Sequence, residues 1–137
     1  MSEENLAIAR AIFEGGAGTS KEAILAALPE AIPALIHPDA EWVEAPERVD
    51  STTYRGHDGI RESFERWLEQ WGEYRVEPQR FEDHGEKVLV VVHEYGEGHG
   101  SGASTEATIY VVLTFRDGKI SRYREFYDEE AARSSLG

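Results

Sequence analysis

The sequence predicts an α+β fold, and three observations carry that reading. Apolar residues recur at helical spacing in the first half of the chain, at Leu6, Ala9, Ile12 and Phe13 and again at Ile60, Phe64, Trp67, Leu68 and Trp71. Runs rich in β-branched residues fill the second half, over residues 87–95, 105–115 and 120–127. Between the last two runs stands Arg116-Asp117-Gly118-Lys119, a short turn that closes a hairpin.

Each element follows in order. A first helix runs from about Glu3 to Glu14, and the GGAGTS segment breaks it, with Thr19 or Ser20 able to cap the next helix. That second helix carries Ile24, Leu25 and Leu28. Pro29 and Pro33 interrupt its pattern, so PEAIPALIHPD is expected to be a separate helical piece or a kinked continuation. HPDAEWVEAP reads as a short strand around Trp42 and Val43 that Pro46 ends. In TYRGHDGIRESFERWLEQW, Gly56 and Gly59 punctuate a turn, Asp58 is the expected N-cap, and the aromatic helix follows. A further strand is expected from Tyr74 to Glu82. GEGHGSG connects the strands that flank it, and the tail DEEAARSSLG is expected to form one frayed turn.

Composition narrows the function. At 137 residues the chain is read as one domain spanning 1–137, long enough to bury a core. Its 27 acidic against 14 basic residues give a net charge of −13, which opposes binding to nucleic acid or to anionic membranes. Cysteine is absent, which removes disulfides, zinc-thiolate sites and thiol nucleophiles. No apolar run approaches the roughly 20 residues of a membrane span, and the acidic start MSEENLAIAR is unlike a secretory signal. A cytoplasmic location is the expectation.

Several motifs fail on inspection. The Gly-rich GGAGTS lacks the Gly-Lys-Ser/Thr of a phosphate loop and follows no strand. Glycines 96, 98, 100 and 102 do not match Gly-x-Gly-x-x-Gly and lie between strands. His93, Glu94, Glu97 and His99 do not make a metal site, because adjacent strand residues point to opposite faces. Neither a cofactor nor a Ser/His/Asp nucleophile is implied.

The helical N-terminus, the PDAEW strand, the YRGHDGIRESFERW turn and helix, and the three long C-terminal strands together resemble the SnoaL-like branch of the nuclear transport factor 2-like superfamily. The resemblance runs from about Asn5 to about Ala132. It implies a cone-shaped, curved, mainly antiparallel sheet wrapped around about three N-terminal helices. It implies much less about chemistry, since this scaffold hosts isomerases, cyclases, epoxide hydrolases, dehydratases and plain binding modules.

The ketosteroid isomerase branch sets the strand phase, with Val111 and Tyr127 placed inward. Tyr123 and Glu125 then face inward on the last strand, Ile109 and Leu113 on the one before it, and Val91, His93 and Tyr95 on the strand over 87–95. Trp42 and Glu44 share a face. Glu44 matches the isomerase base, whereas Phe13 and Val111 replace its two oxyanion donors, so steroid isomerisation is not implied. The Asp-Arg-Asp relay of the epoxide hydrolases has no evident counterpart.

Glu44, His93 and Glu125 are therefore the candidate acid–base groups, each also readable as a rim carboxylate, a core histidine or an ion-pair partner. Phe13, Trp42, His57, Phe64, Trp67, Tyr95, Val111, Tyr123 and Tyr127 are the candidate ligand contacts. The expected ligand is a small apolar molecule, planar or ring-containing, with a few oxygens. Two functions stay open: a cofactor-independent isomerase, cyclase or hydratase, and a binding module with a vestigial cavity. On the same phase Val90, Val92, Tyr110, Val112 and Thr114 form an apolar outer face, which predicts a homodimer.

Overall fold

The structure, a computed structural model, describes residues 2–14, 20–48, 51–100 and 103–137. Most of the expected GGAGTS linker and the tip of the GEGHGSG connection lie outside them. Helix α1 (Ser2–Glu14) and helix α2 (Lys21–Leu35) precede strand β1 (Ile36–Val43) and the short strand β2 (Thr53–Arg55). Helix α3 (Gly56–Glu69) leads into β3 (Trp71–His84), β4 (Lys87–Gly98), β5 (Ser104–Arg116), β6 (Lys119–Phe126) and a last helix α4 (Glu129–Ser134). The strands form one curved, unclosed sheet in the order β2-β1-β6-β5-β4-β3, and only the β1–β6 pair is parallel.

Helix α2 is one helix, not two pieces. Ser20 caps it, its Oγ accepting from the Ala23 N–H at 3.1 Å. The helix tolerates Pro29 and Pro33 because Leu25, Pro29 and Pro33 recur every four residues along its exposed side, while Ile24, Leu28 and Ile32 are buried. The carbonyls that lose their partners therefore sit on the solvent side, where water satisfies them.

Helix α3 starts at Gly56, with Arg55 at the N-cap position and no side-chain cap. Asp58 instead lies in the first turn, 3.4 Å from Arg61. Trp71 leaves the helical stripe and opens β3, where its ring covers Gly96 on β4. The turn between β5 and β6 has positive φ at both Asp117 (55°) and Gly118 (76°), as the tight hairpin turn read from the sequence requires.

The main core lies between the concave side of the sheet and helices α1 to α3. It takes Val88, Val90 and Val92 from β4, Ile109, Val111 and Leu113 from β5, and Tyr123 from β6. The phase expected for β4 is thus shifted by one residue, and Val90 and Val92 point inward. A second, smaller cluster joins Leu89, Val112 and Phe126 on the outer side to Ala132 of α4. The tail is therefore a docked helix rather than a frayed turn. Asp128 caps it, accepting from the Glu130 N–H, and Arg133 grips Glu82 of β3 with two hydrogen bonds of 3.0 Å. No helix among the described residues is long and apolar enough to cross a membrane.

The Trp71–Gly96 contact tests this packing. An added Cβ at Gly96 would come within 2.6–2.9 Å of three Trp71 ring atoms. Gly96→Ala is expected to destabilise the protein by about 1–3 kcal/mol, read as a lower urea midpoint at unchanged slope.

Candidate functional site

The sheet and the three N-terminal helices enclose a cavity of about 90 Å³. Phe13 of α1, Ile24, Leu28 and Ile32 of α2, and Phe64, Trp67 and Leu68 of α3 form one side of its lining; Val92, Ile109 and Val111 form the other. Trp42 closes against Tyr123 with ring centroids 3.5 Å apart and nearly parallel planes, and Phe64 lies 4.9 Å from Trp42. The polar members of the lining are Glu44, Arg48, Ser63, Tyr74, Tyr123 and Glu125.

These polar groups centre on Arg48, from the chain between β1 and β2, whose side chain is only 12% exposed. Its Nη1 donates to Glu125 Oε1 at 2.6 Å and its Nε to the Tyr127 hydroxyl at 3.2 Å. Its Nη2 lies 3.8 Å from Glu94 Oε2. The guanidinium rests on the Trp67 ring, 3.8 Å from the centroid. Two tyrosines complete the cluster: Tyr123 donates to Glu125 Oε2 at 2.8 Å, and Tyr74 donates to Glu94 Oε2 at 2.5 Å. Glu44 accepts from the Thr52 N–H at 3.2 Å, which holds it beside the cavity.

Burial sets the electrostatics. Desolvation pushes the Glu125 carboxyl above its ordinary value, against the pull of Arg48 and the Tyr123 hydrogen bond. Glu94 is raised for the same reason, opposed by Tyr74 and Arg48. Burial works against the Arg48 charge, but Glu125, Tyr127 and Glu94 outweigh it and raise its pKa. Burial and the adjacent carboxylates also raise Tyr74 and Tyr123, so both stay protonated as donors. The cluster thus holds one fixed positive charge and two carboxyls whose pKa values burial raises above the ordinary one. That is the equipment of an acid–base site.

The structure brings Glu44, Glu125, Phe13, Trp42, Phe64, Trp67, Val111 and Tyr123 into one lining, and Tyr127 joins through Arg48. Three expected members stand elsewhere. His93 faces the outer side, 38% exposed and 3.7 Å from Glu106, because β4 is one residue out of the expected phase. Tyr95 shares that outer side, its hydroxyl on Glu97 and its ring under Arg75. His57 hydrogen-bonds the Ile36 carbonyl at 2.7 Å, which ties the start of α3 to the start of β1.

Arg48, Glu94, Tyr74 and Ser63 were not found from the sequence. Ser63 carried a signal, a small polar residue on the apolar stripe between Ile60 and Trp67. Glu94 was legible only with the correct β4 phase, and Arg48 sat in an unpatterned polar loop. An acid–arginine–acid cluster therefore does exist, assembled from segments up to 77 residues apart. Among the described residues, no group of three or more His, Cys, Asp or Glu could hold a metal ion.

The sequence profile of the SnoaL-like domain matches residues 3–123. No curated protein matches the chain. Among solved structures, TerC co-crystallized with polyporic acid is 28% identical, with 84% of this chain and 95% of that one covered and a TM-score of 0.63. A nuclear transport factor 2-like protein from Burkholderia thailandensis E264 is 30% identical over 80% of this chain and 85% of its own, with a TM-score of 0.67. A protein described as a SnoaL-like polyketide cyclase, from Jannaschia sp. CCS1, shares only 15% identity. Its TM-score is nevertheless 0.75, over 98% of this chain and 92% of its own, a likeness of fold. On sequence and fold together, the chain belongs to the SnoaL-like family.

Proposed function

We propose that the protein binds a small, apolar, ring-containing molecule in this cavity and transforms it by carboxylate acid–base chemistry, as a cofactor-independent isomerase, cyclase or hydratase. One observation carries the reading: Glu125, 8% exposed, sits in the wall of a mainly apolar cavity with its carboxyl raised above the ordinary value by burial. Such a carboxyl can give and take a proton where water cannot compete. Glu44 lines the same space and serves as the second acid–base group, while Glu94 shares the guanidinium with Glu125. The TerC structure with polyporic acid supports a small-molecule role for this fold at comparable identity. A cytoplasmic setting belongs to the same proposal.

A second reading has its own support. Both Glu125 oxygens already hold hydrogen bonds, and about 90 Å³ is less than the ~150 Å³ of an engineered cavity that takes benzene. A binding module with a vestigial cavity would look the same.

Solvent-proton incorporation separates the two. Cyclic alkenes, enones and epoxides would be incubated with the protein in D₂O and followed by NMR. Deuterium incorporation or rearrangement is expected for at least one class, and Glu125→Gln is expected to slow it by about 100-fold while binding persists. Binding without turnover in the wild type would favour the module.

The pH dependence of stability follows from the same carboxyl. A folded-state pKa above the ordinary 4.5 means that the protonated form favours folding. That contribution is full below the ordinary value and is lost as pH rises through the raised one. Melting temperature is expected to fall as pH rises above the ordinary carboxyl value, and to fall less in Glu125→Gln, as differential scanning calorimetry would show.

Self-association through the outer sheet face is also proposed, with its contact redrawn. Val90 and Val92 face the core and α4 covers Val112, which leaves Tyr110, Thr114, His93 and Tyr95 to meet a second copy. A dimer at about 10 μM is expected in sedimentation, and Tyr110→Glu is expected to shift it to monomer through the charge it would bury.

A further inference from the structure

Arg48 presents three nitrogens to its surroundings, and one of them is unused. Nε and Nη1 donate to Tyr127 and Glu125. Nη2 is buried and has no hydrogen-bond partner among the described residues. Its ion-pair neighbour, Glu94 Oε2, stands at 3.8 Å, beyond hydrogen-bond range. The guanidinium cannot simply turn away, since it lies on Trp67 and is anchored at its other two nitrogens. A buried charged donor without an acceptor is costly, and Arg48 lines the cavity from which an acceptor can come.

We propose that Arg48 Nη2 is the anchor for a ligand oxygen, and that the ligand is a neutral carbonyl compound on one small ring, such as a ketone or lactone. This rests on the small-molecule reading above and names its substrate class. Charge decides between a carbonyl and a carboxylate. The guanidinium already faces Glu125 at 2.6 Å and Glu94 at 3.8 Å, and Glu44 lines the same space. A carboxylate ligand would be a fourth acid beside one cation, in a chain that carries −13 overall. A carbonyl oxygen accepts the same N–H and adds no charge. Size sets an upper limit: about 90 Å³, below the ~150 Å³ that takes benzene, admits nothing larger than one small ring among Phe13, Trp42 and Phe64.

The test uses three probes of similar size on the full chain at about pH 7.5: cyclopentanone, cyclopentene and cyclopentanecarboxylate. Their dissociation constants would be measured by ligand-observed NMR. Cyclopentanone is expected to bind about tenfold tighter than either of the others. Arg48→Lys keeps the charge but loses the second terminal nitrogen, and is expected to bring the ketone to within about twofold of the alkene. Should that variant fail to fold, the wild-type ranking decides alone. Equal binding of ketone and alkene would overturn the anchor while leaving the cavity a ligand site. Tightest binding of the carboxylate would overturn the neutral class. Binding of none of the three would overturn the proposal together with the small-molecule reading beneath it.

Discussion

The placement of Arg48 inside the cone is the constraint on which the rest of the site depends. A guanidinium in that position must be paired, because an uncompensated buried charge costs several kcal/mol. The chain supplies Glu125 from a central strand, Glu94 from a strand two places along and Tyr127 just past the end of β6. Tyr74 and Tyr123 then occupy the remaining faces of the carboxylates. Each of these residues fixes the facing of its own strand, so the cluster pins the register of β3, β4 and β6 as firmly as the apolar side chains do. Breaking one partner out of such a pair typically costs about 3–5 kcal/mol.

A purely apolar filling of this space would be at least as stable, since buried ion pairs rarely exceed a well-packed hydrophobic equivalent. The cluster is therefore poorly explained by stability alone. Its position at the wall of the cavity, beside stacked aromatic rings, is what gives it a chemical reading. Two carboxyls raised by burial and one cation raised by those carboxyls form a set whose protonation can change without the charge on Arg48 moving. Aromatic rings line the cavity, and the polar groups meet at one place rather than being scattered over the lining.

Much of this architecture was legible in the residues, and the failures have physical causes. Periodicity located α1, α3, β5 and β6, because each buries one face and exposes the other. The phase that the resemblance to the ketosteroid isomerase branch implies for β6 puts Tyr123 and Glu125 on the side where the cavity lies, and Trp42 shares that lining. On β4 the signal disappears: Val88 to Val92 are all buried, since α4 covers the outer side while the helices cover the inner one. With both faces apolar, the sequence holds no parity to read, and His93 was assigned to the wrong side. The three residues of β2 are too few for any pattern, and α4 hides its contact in Ala131 and Ala132, which are not conspicuous as core residues. Arg48 had no local signature at all. Its meaning comes from partners that lie far along the chain.

The one parallel pairing of the sheet carries a consequence for the order of assembly. Trp42 of β1 sits beside Tyr123 of β6, and β2 pairs only with β1. The β1–β2 edge, with the Arg48 loop, therefore has no sheet to join until the final strand has been made. During synthesis the helices and the long β3–β4 hairpin can form early from local contacts, whereas the cone stays open on one side until its C-terminal strand leaves the ribosome. The polar cluster is then the last part of the molecule to come together. A nascent chain lacking only β6 and α4 would leave Trp42 without the ring of Tyr123 and the edge of β5 unpaired, and that interval is when such a chain is most exposed to chaperones and to aggregation.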